Sequence, residues 1–485
     1  MTRDGTLGPE PSGPLVLGPS HTWRVRRFFA NLGPGLITGA ADDDPSGIST
    51  YSVAGAAFGY APLWTALFSF PLMAAVQLMC ARLGLVSGRG LAGVVRRRYS
   101  RPILWGACTL LVVANVINIG ADLGGMAGAT EMVTGVSAFL WTPLYTGFIV
   151  SLLFWSSYRQ IARIFKWLTL VLFAYVLAAF LAHPDWRAVL TATVIPRIEW
   201  SNAYLATFVG ILGTTISPYL FFWQAAQEVE EERAAGRRTI RQRHGASDAD
   251  LERARTDVVV GMFCSNLVMY FILLATAENL HAHGETKITN ARQAAEALRP
   301  LAGDGAYWLF TLGLIGTGML GVPVLAGSCA YAIAEAEAWR GSLDAKPRLA
   351  RKFYAVVAVS MLLGLILNFA GLDAVAMLFW SAVLNGVLAP PLGLPSQHQA
   401  PPLAGVGDGR HHDGSGRGDG PDALRGVQLD RRPPGRVASG HLPSAVRADG
   451  RLGLPSPPAR SRSNRAGCGV GWTCRRWRTP PWHGP

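Results

Sequence analysis

Ala41-Asp42-Asp43-Asp44-Pro45-Ser46-Gly47-Ile48 interrupts an apolar span near the N-terminus, and Ile216-Ser217-Pro218-Tyr219-Leu220 interrupts another in mid-chain. Proline removes a backbone donor and glycine tolerates unusual dihedrals, so each stretch predicts a helix broken part-way along. At membrane depth such a break is tolerated only where the freed backbone groups face protein or a hydrated cavity.

The rest of the chain supplies the membrane context. Half the residues (50%) are hydrophobic and only 15% are charged. Apolar stretches of about 20 residues recur from Phe28 to Leu394, as helical membrane spans require. The spans are expected near 28–58, 62–86, 103–129, 135–156, 160–182, 202–230, 255–278, 304–336, 352–370 and 373–394. This excludes a soluble enzyme and implies no covalent chemistry. With the N-terminus placed in the cytoplasm, the loops assigned inside hold twenty Lys and Arg and those assigned outside hold five, the bias expected of a cytoplasmic-membrane protein. The basic charge balance is therefore topological and calls for no nucleic acid. Paired breaks in the first and sixth of ten spans mark a transporter's substrate site.

Residues 1–27 are rich in Gly and Pro and lack the basic-then-apolar order of a signal peptide, so they read as a disordered cytoplasmic lead. Residues 28–392 form the expected transmembrane domain. From 393 to 485 there is no Lys, Glu, Ile, Phe, Tyr or Met, but 14 Arg, 13 Pro and 17 Gly. Such a segment cannot bury enough apolar surface to fold. The missing types are mostly those with A/T-rich codons, which points to a shifted reading frame; the alternative is a natural basic tail that binds anionic lipid. Cys80, Cys108, Cys264 and Cys329 lie singly in or beside spans, without zinc or redox spacing. His244, His281 and His283 fall in loops or at span ends and read as solvated.

The first break carries charge. An ionised carboxylate deep in a membrane needs a cavity or a cation, so at least one of Asp42, Asp43 and Asp44 is expected to be functional. Asp44 adjoins the break, where freed carbonyls join it as oxygen donors and the C-terminus of the first half-helix favours a cation. Asp42 and Asp43 read equally well as an acidic helix end at the water interface. In the sixth span, Pro218 leaves the Thr214 carbonyl without its usual partner, and Ser217 offers a hydroxyl. A Ser-Pro kink that merely shapes packing is the plain alternative.

Gly33-Pro34-Gly35 leading to Asp44-Pro45-Ser46-Gly47, with Gly213-Thr214-Thr215-Ile216-Ser217-Pro218-Tyr219, resembles the Nramp family of divalent metal-ion transporters. The resemblance runs from about Arg27 to Pro391. It implies an all-α integral membrane fold like that of the bacterial leucine transporter, with two inverted five-helix repeats and broken first and sixth helices. It also implies a site at Asp44 and the Thr214 carbonyl, with the transported metal as substrate and no cofactor.

Several positions depart from the family pattern. Its first-span asparagine falls on Gly47, its methionine on Ser217, its histidine after proline on Tyr219 and a second histidine on Gln224. Replacing a thioether by a hydroxyl favours harder ions, and a roomier site suits a partly hydrated one. The chain is thus similar to the Nramp-related magnesium-transporter branch, and Mg²⁺ with Mn²⁺ is the expected cargo. In the third span Asp122 matches the aspartate of the family's proton path, but Gly125 stands where a glutamate belongs, so proton coupling is not expected; Asp122 is equally readable as a structural carboxylate. Asn385, in the tenth span, either lines the pathway or bonds between helices. Glu228, Glu230, Glu231 and Glu232 read as a solvated, salt-bridged run. A carrier of small organic solutes on the same scaffold, or a truncated non-functional member, are the competing readings. Oligomeric state has no signal in the sequence.

Overall fold

Proline at the first turn of a helix loses no hydrogen bond, and this fixes where each interrupted span restarts. In a computed structural model describing residues 33–156, 160, 170–371 and 373–397, α1 (Pro34–Asp42) and α2 (Pro45–Phe58) each begin on one. Four helices follow: α3 (Trp64–Ser87), α4 (Leu91–Arg98), α5 (Arg101–Thr134) and α6 (Ala138–Trp155). A 3-10 turn leads into α7 (Ala174–Leu181) and then α8 (Trp186–Val194). The second interrupted span is α9 (Asn202–Thr215) and α10 (Pro218–Ala234), the latter again starting on proline. The chain continues through α11 (Asp248–Asn279), the short α12 (Ala291–Glu296) and α13 (Arg299–Ala302), then α14 (Ala306–Ala336), α15 (Arg351–Asn368) and α16 (Ala374–Gln397). The described residues contain no β-strand.

Among the described residues, seven helical stretches are long and apolar enough to cross a membrane unaided. The expected first span is divided between α1 and α2, the fifth is represented by Leu170–Leu181 and the tenth by α16. Residues 28–32 of the first and 161–169 of the fifth lie outside the described residues, as do 1–27 and 398–485. One boundary differs: α16 runs to Gln397, past the change of composition at 393. Composition marks a change of residue usage, whereas a helix propagates from the turn already formed, so the two borders need not coincide.

Burial separates centre from rim. The most apolar window of α14 is 83% buried and that of α6 only 22%. Leu67, Phe68 and Leu72 of α3 and Phe139, Leu140, Leu144 and Phe148 of α6 are exposed, as a lipid-facing surface requires. Without a hydrophobic drive between lipid-bathed helices, close approach depends on small residues. At Gly39 a Cβ would stand 2.3 Å from the Gly261 carbonyl oxygen, and at Gly213 one would stand 2.0 Å from that of Ala382. Glycine is therefore required where α1 crosses α11 and where α9 crosses α16. These crossings hold both interrupted spans against long continuous helices.

Candidate functional site

All three aspartates of the first break are buried: Asp42 is 1% exposed, Asp43 4% and Asp44 2%. The interface reading of Asp42 and Asp43 is thereby corrected. A triplet of acids looks like a wet helix end in sequence, but Ser265 of α11 reaches across to cover them. Its Oγ donates to Asp42 Oδ2 at 2.6 Å and lies 3.3 Å from Asp43 Oδ1. Among the described residues no Lys, Arg or His forms a salt bridge with any of the three.

Asp44 is the N-cap of α2. Its Oδ1 accepts from Ser46 Oγ at 2.6 Å and from the Gly47 N–H at 2.9 Å. This orphan-donor satisfaction anchors the carboxylate where α2 starts. Its Oδ2 accepts from the Tyr219 hydroxyl at 3.1 Å, and that hydroxyl is also 3.1 Å from the Ala41 carbonyl oxygen. The two breaks thus meet side by side, through Tyr219. A Cβ at Gly47 would approach the Asp42 carbonyl oxygen at 3.3 Å and one at Gly321 of α14 would approach Asp44 Cβ at 3.1 Å, so glycine at both keeps the surroundings of the carboxylate open.

Ser217 lies elsewhere than its sequence reading places it. Its hydroxyl turns back to the Gly213 and Thr214 carbonyl oxygens, each at 2.8 Å. Backbone bonding to the residue three or four positions earlier is the ordinary habit of serine in a helix, and that habit wins here. It occupies the Thr214 carbonyl that proline left free. The Thr214 hydroxyl bonds Tyr51 at 2.9 Å. Gln224 is remote from the break: it accepts from Thr38 Oγ1 at 2.6 Å and donates to Glu228 at 2.9 Å.

Asp122 is fully buried on α5, where its carboxylate faces the Ser46 backbone N–H, and the Asn118 amide one turn earlier has no hydrogen-bond partner among the described residues. Gly125, next on that face, lies beside Pro45, and Asp122 stands within range of the Asp44 charge. Gly125, Gly128, Ser49, Glu131 and Asp373 line a cavity of about 370 Å³. Asn385 is buried, its Nδ2 without a hydrogen-bond partner among the described residues, next to Gly386, which packs against Val209 of α9.

Glu228, Glu230 and Glu232 are buried rather than solvated, although the run is salt-bridged as expected: Arg233 pairs with Glu230, and Arg237 with Glu232 at 3.1 Å. The reason is that α10 is covered on more than one side: Glu228 bonds Gln224, whereas Glu230 faces Ser342. Bonds to Asp250 and Glu232 hold the Arg237 guanidinium above its ordinary pKa. His281 is likewise only half exposed, its ring bonded to the Ala56 carbonyl at 2.8 Å.

Sequence reasoning missed Asp257. From α11 its carboxylate accepts from the backbone N–H groups of Gly33 (2.8 Å), Gly35 (2.6 Å) and Leu36 (3.2 Å). α1 has no side-chain cap of its own, so Asp257 caps it from another helix. The only available signal was a lone acid opening the apolar run Val258 to Met262. A second recess, of about 120 Å³, adjoins this cap and is lined by Gly33, Glu228, Glu232, Asp250 and Asp257.

Among the described residues no three His, Cys, Asp or Glu side chains converge so as to hold a metal. A tightly caged zinc-like centre is thus not formed there, and any cation at the break would rely on one carboxylate with carbonyl, hydroxyl and water oxygens.

A family model described as natural resistance-associated macrophage protein-like, Nramp, matches residues 35–396. The divalent metal cation transporter MntH of Verminephrobacter eiseniae is 30% identical over 296 residues, 59% of this chain and 64% of the relative. That of Deinococcus radiodurans is 28% identical over 326 residues, 64% and 69% respectively. The chain therefore spans about two thirds of the length of these relatives. A crystal structure of the Eremococcus coleocola manganese transporter superposes with a TM-score of 0.58 at 20% identity, covering 78% of this chain and 81% of the other. At that identity the likeness shows a shared fold.

Proposed function

This chain belongs to the Nramp family, and on that premise we propose that it carries divalent metal cations, Mg²⁺ and Mn²⁺ favoured, across the cell membrane by alternating access. Its fold is the all-α, leucine-transporter-like one expected, with the first and sixth spans broken. The observation that carries the proposal is Asp44: a buried carboxylate, without a basic partner among the described residues, at the point where two unwound spans touch. Buried charge at membrane depth is costly unless a cation or cavity compensates it.

The Asp44 carboxylate, the Tyr219 hydroxyl and the Ala41 carbonyl meet as hard oxygen donors, which supports a hard ion. Mg²⁺ dehydrates reluctantly and usually keeps several waters, to which a site of carboxylate, carbonyl and hydroxyl oxygens can bond. The relatives are described as carriers of divalent metals or manganese, which supports the cargo class. The organic-solute reading loses one of its two anchor points, because the N-terminus of α2, which would greet a carboxylate, is already capped by Asp44. In the proposed cycle Asp44, buried at 2% exposure, is occluded, and ions reach it as one helix bundle rocks against the other.

Uptake by proteoliposomes tests the reading. Mg²⁺ and Mn²⁺ are expected to enter in the wild type, without response to an imposed pH gradient, and not in Asp44→Ala. Robust Fe²⁺ and Cd²⁺ flux with Mg²⁺ excluded would contradict the ion preference, and metal-driven acidification would contradict the absence of proton coupling.

A further inference from the structure

The two oxygens of Asp44 have unequal surroundings. Oδ1 is taken by Ser46 and the Gly47 N–H, whereas Oδ2 receives the Tyr219 hydroxyl alone. The same hydroxyl faces the Ala41 carbonyl, in the last turn of α1, where carbonyls lack intrahelical partners. One O–H proton therefore serves a carboxylate and a carbonyl together.

We propose that Tyr219 is a cation ligand and the residue that selects the ion: a divalent cation takes the place of the shared proton, the hydroxyl rotates, and its oxygen becomes a hard neutral donor beside Asp44 Oδ2 and the Ala41 carbonyl. This rests on reading the break as the cation site and deepens it by naming what discriminates between ions. The phenol keeps its proton throughout, turned away from the ion.

Spacing supports the assignment. On an octahedral cation with bonds of about 2.1 Å, neighbouring oxygens stand about 3.0 Å apart, since an octahedron's edge is √2 times its radius. The two recorded edges at Tyr219 are both 3.1 Å. Calcium, with bonds of roughly 2.3–2.6 Å, would need edges of about 3.3–3.7 Å on the same octahedron. Tyr219 is also held in place: it is 1% exposed, and its backbone carbonyl accepts from Ser328 Oγ of α14 at 3.0 Å. Ser217, whose hydroxyl adjoins Pro218, faces the backbone of α9. The change from soft to hard donor therefore acts through the phenol two residues later.

Calorimetric titration of the purified full-length protein with Mg²⁺, Mn²⁺ and Cd²⁺ tests this in the wild type, Tyr219→Phe, Tyr219→His and Asp44→Ala. Tyr219→Phe is expected to weaken Mg²⁺ and Mn²⁺ roughly tenfold while leaving Cd²⁺ within about twofold. Tyr219→His, which offers a softer nitrogen, is expected to favour Cd²⁺ over Mg²⁺ relative to wild type. Asp44→Ala is expected to lose all three ions. An equal loss for every ion in Tyr219→Phe is what a merely structural tyrosine would give. That result, or unchanged Mg²⁺ affinity, overturns the assignment and leaves the Asp44 site standing. Undiminished binding in Asp44→Ala instead overturns the site itself. Should Tyr219→Phe fail to fold by thermal unfolding, the Mg²⁺-to-Cd²⁺ ratio in Tyr219→His decides.

Discussion

The first break and the second sit at corresponding places in the two halves of the chain, yet they are closed by opposite means. At the first, the side chain turns forward: Asp44 caps the half-helix that follows, and its second oxygen points across the gap. At the second, the side chain turns backward: Ser217 bonds to the half-helix that precedes it, and α10 starts with no side-chain cap. One break therefore presents charge, while the other presents the phenol of its next turn. The fold brings the breaks together, but it does not make them chemically equivalent.

This contrast breaks most visibly at Asp44. Asp44→Asn keeps the size and the Gly47 cap while removing the charge, so Mg²⁺ affinity is expected to fall roughly a hundredfold or more by calorimetry. An affinity near that of the wild type would mean that the first break does not hold the ion. A smaller effect is expected at Asp257, whose loss strips α1 of its cap. Asp257→Ala is expected to destabilise the fold by about 2–3 kcal/mol, as for hydrogen bonds to a charged group. Faster amide exchange confined to residues 33–36 would locate the effect, and unchanged exchange there would refute the clasp. Ser217→Ala gives the least. Only a backbone bond is lost, so stability is expected to drop by about 1 kcal/mol and Mg²⁺ affinity to stay within roughly twofold. A loss as large as that of Asp44→Asn would restore Ser217 as a ligand and make the two breaks alike.

Much of the architecture was legible because membrane spans announce themselves. Lipid demands long apolar runs, and proline has few places to sit, so the breaks at Pro45 and Pro218 followed from local rules. The burial of Asp42, Asp43 and the Glu228 run was less legible, because acids near a span end look wet until a neighbouring helix covers them. Asp257 and Ser265 were silent for the same reason. Each acts on α1 from more than two hundred residues away, and no local pattern records which helix will cross there.

The amino-acid sequence by itself determined the class of the molecule, the number of crossings expected, the two breaks and the acid at the first, since hydrophobic run length, proline geometry and formal charge are properties of the chain. Only the tertiary structure decided which donors face one another: Tyr219 against Asp44, Ser217 against its own helix, Gln224 against Thr38 and Glu228. The physical reason is that a hydrogen bond depends on distance and angle within fractions of an ångström, and these are set by helix crossings that bring together residues far apart in the chain.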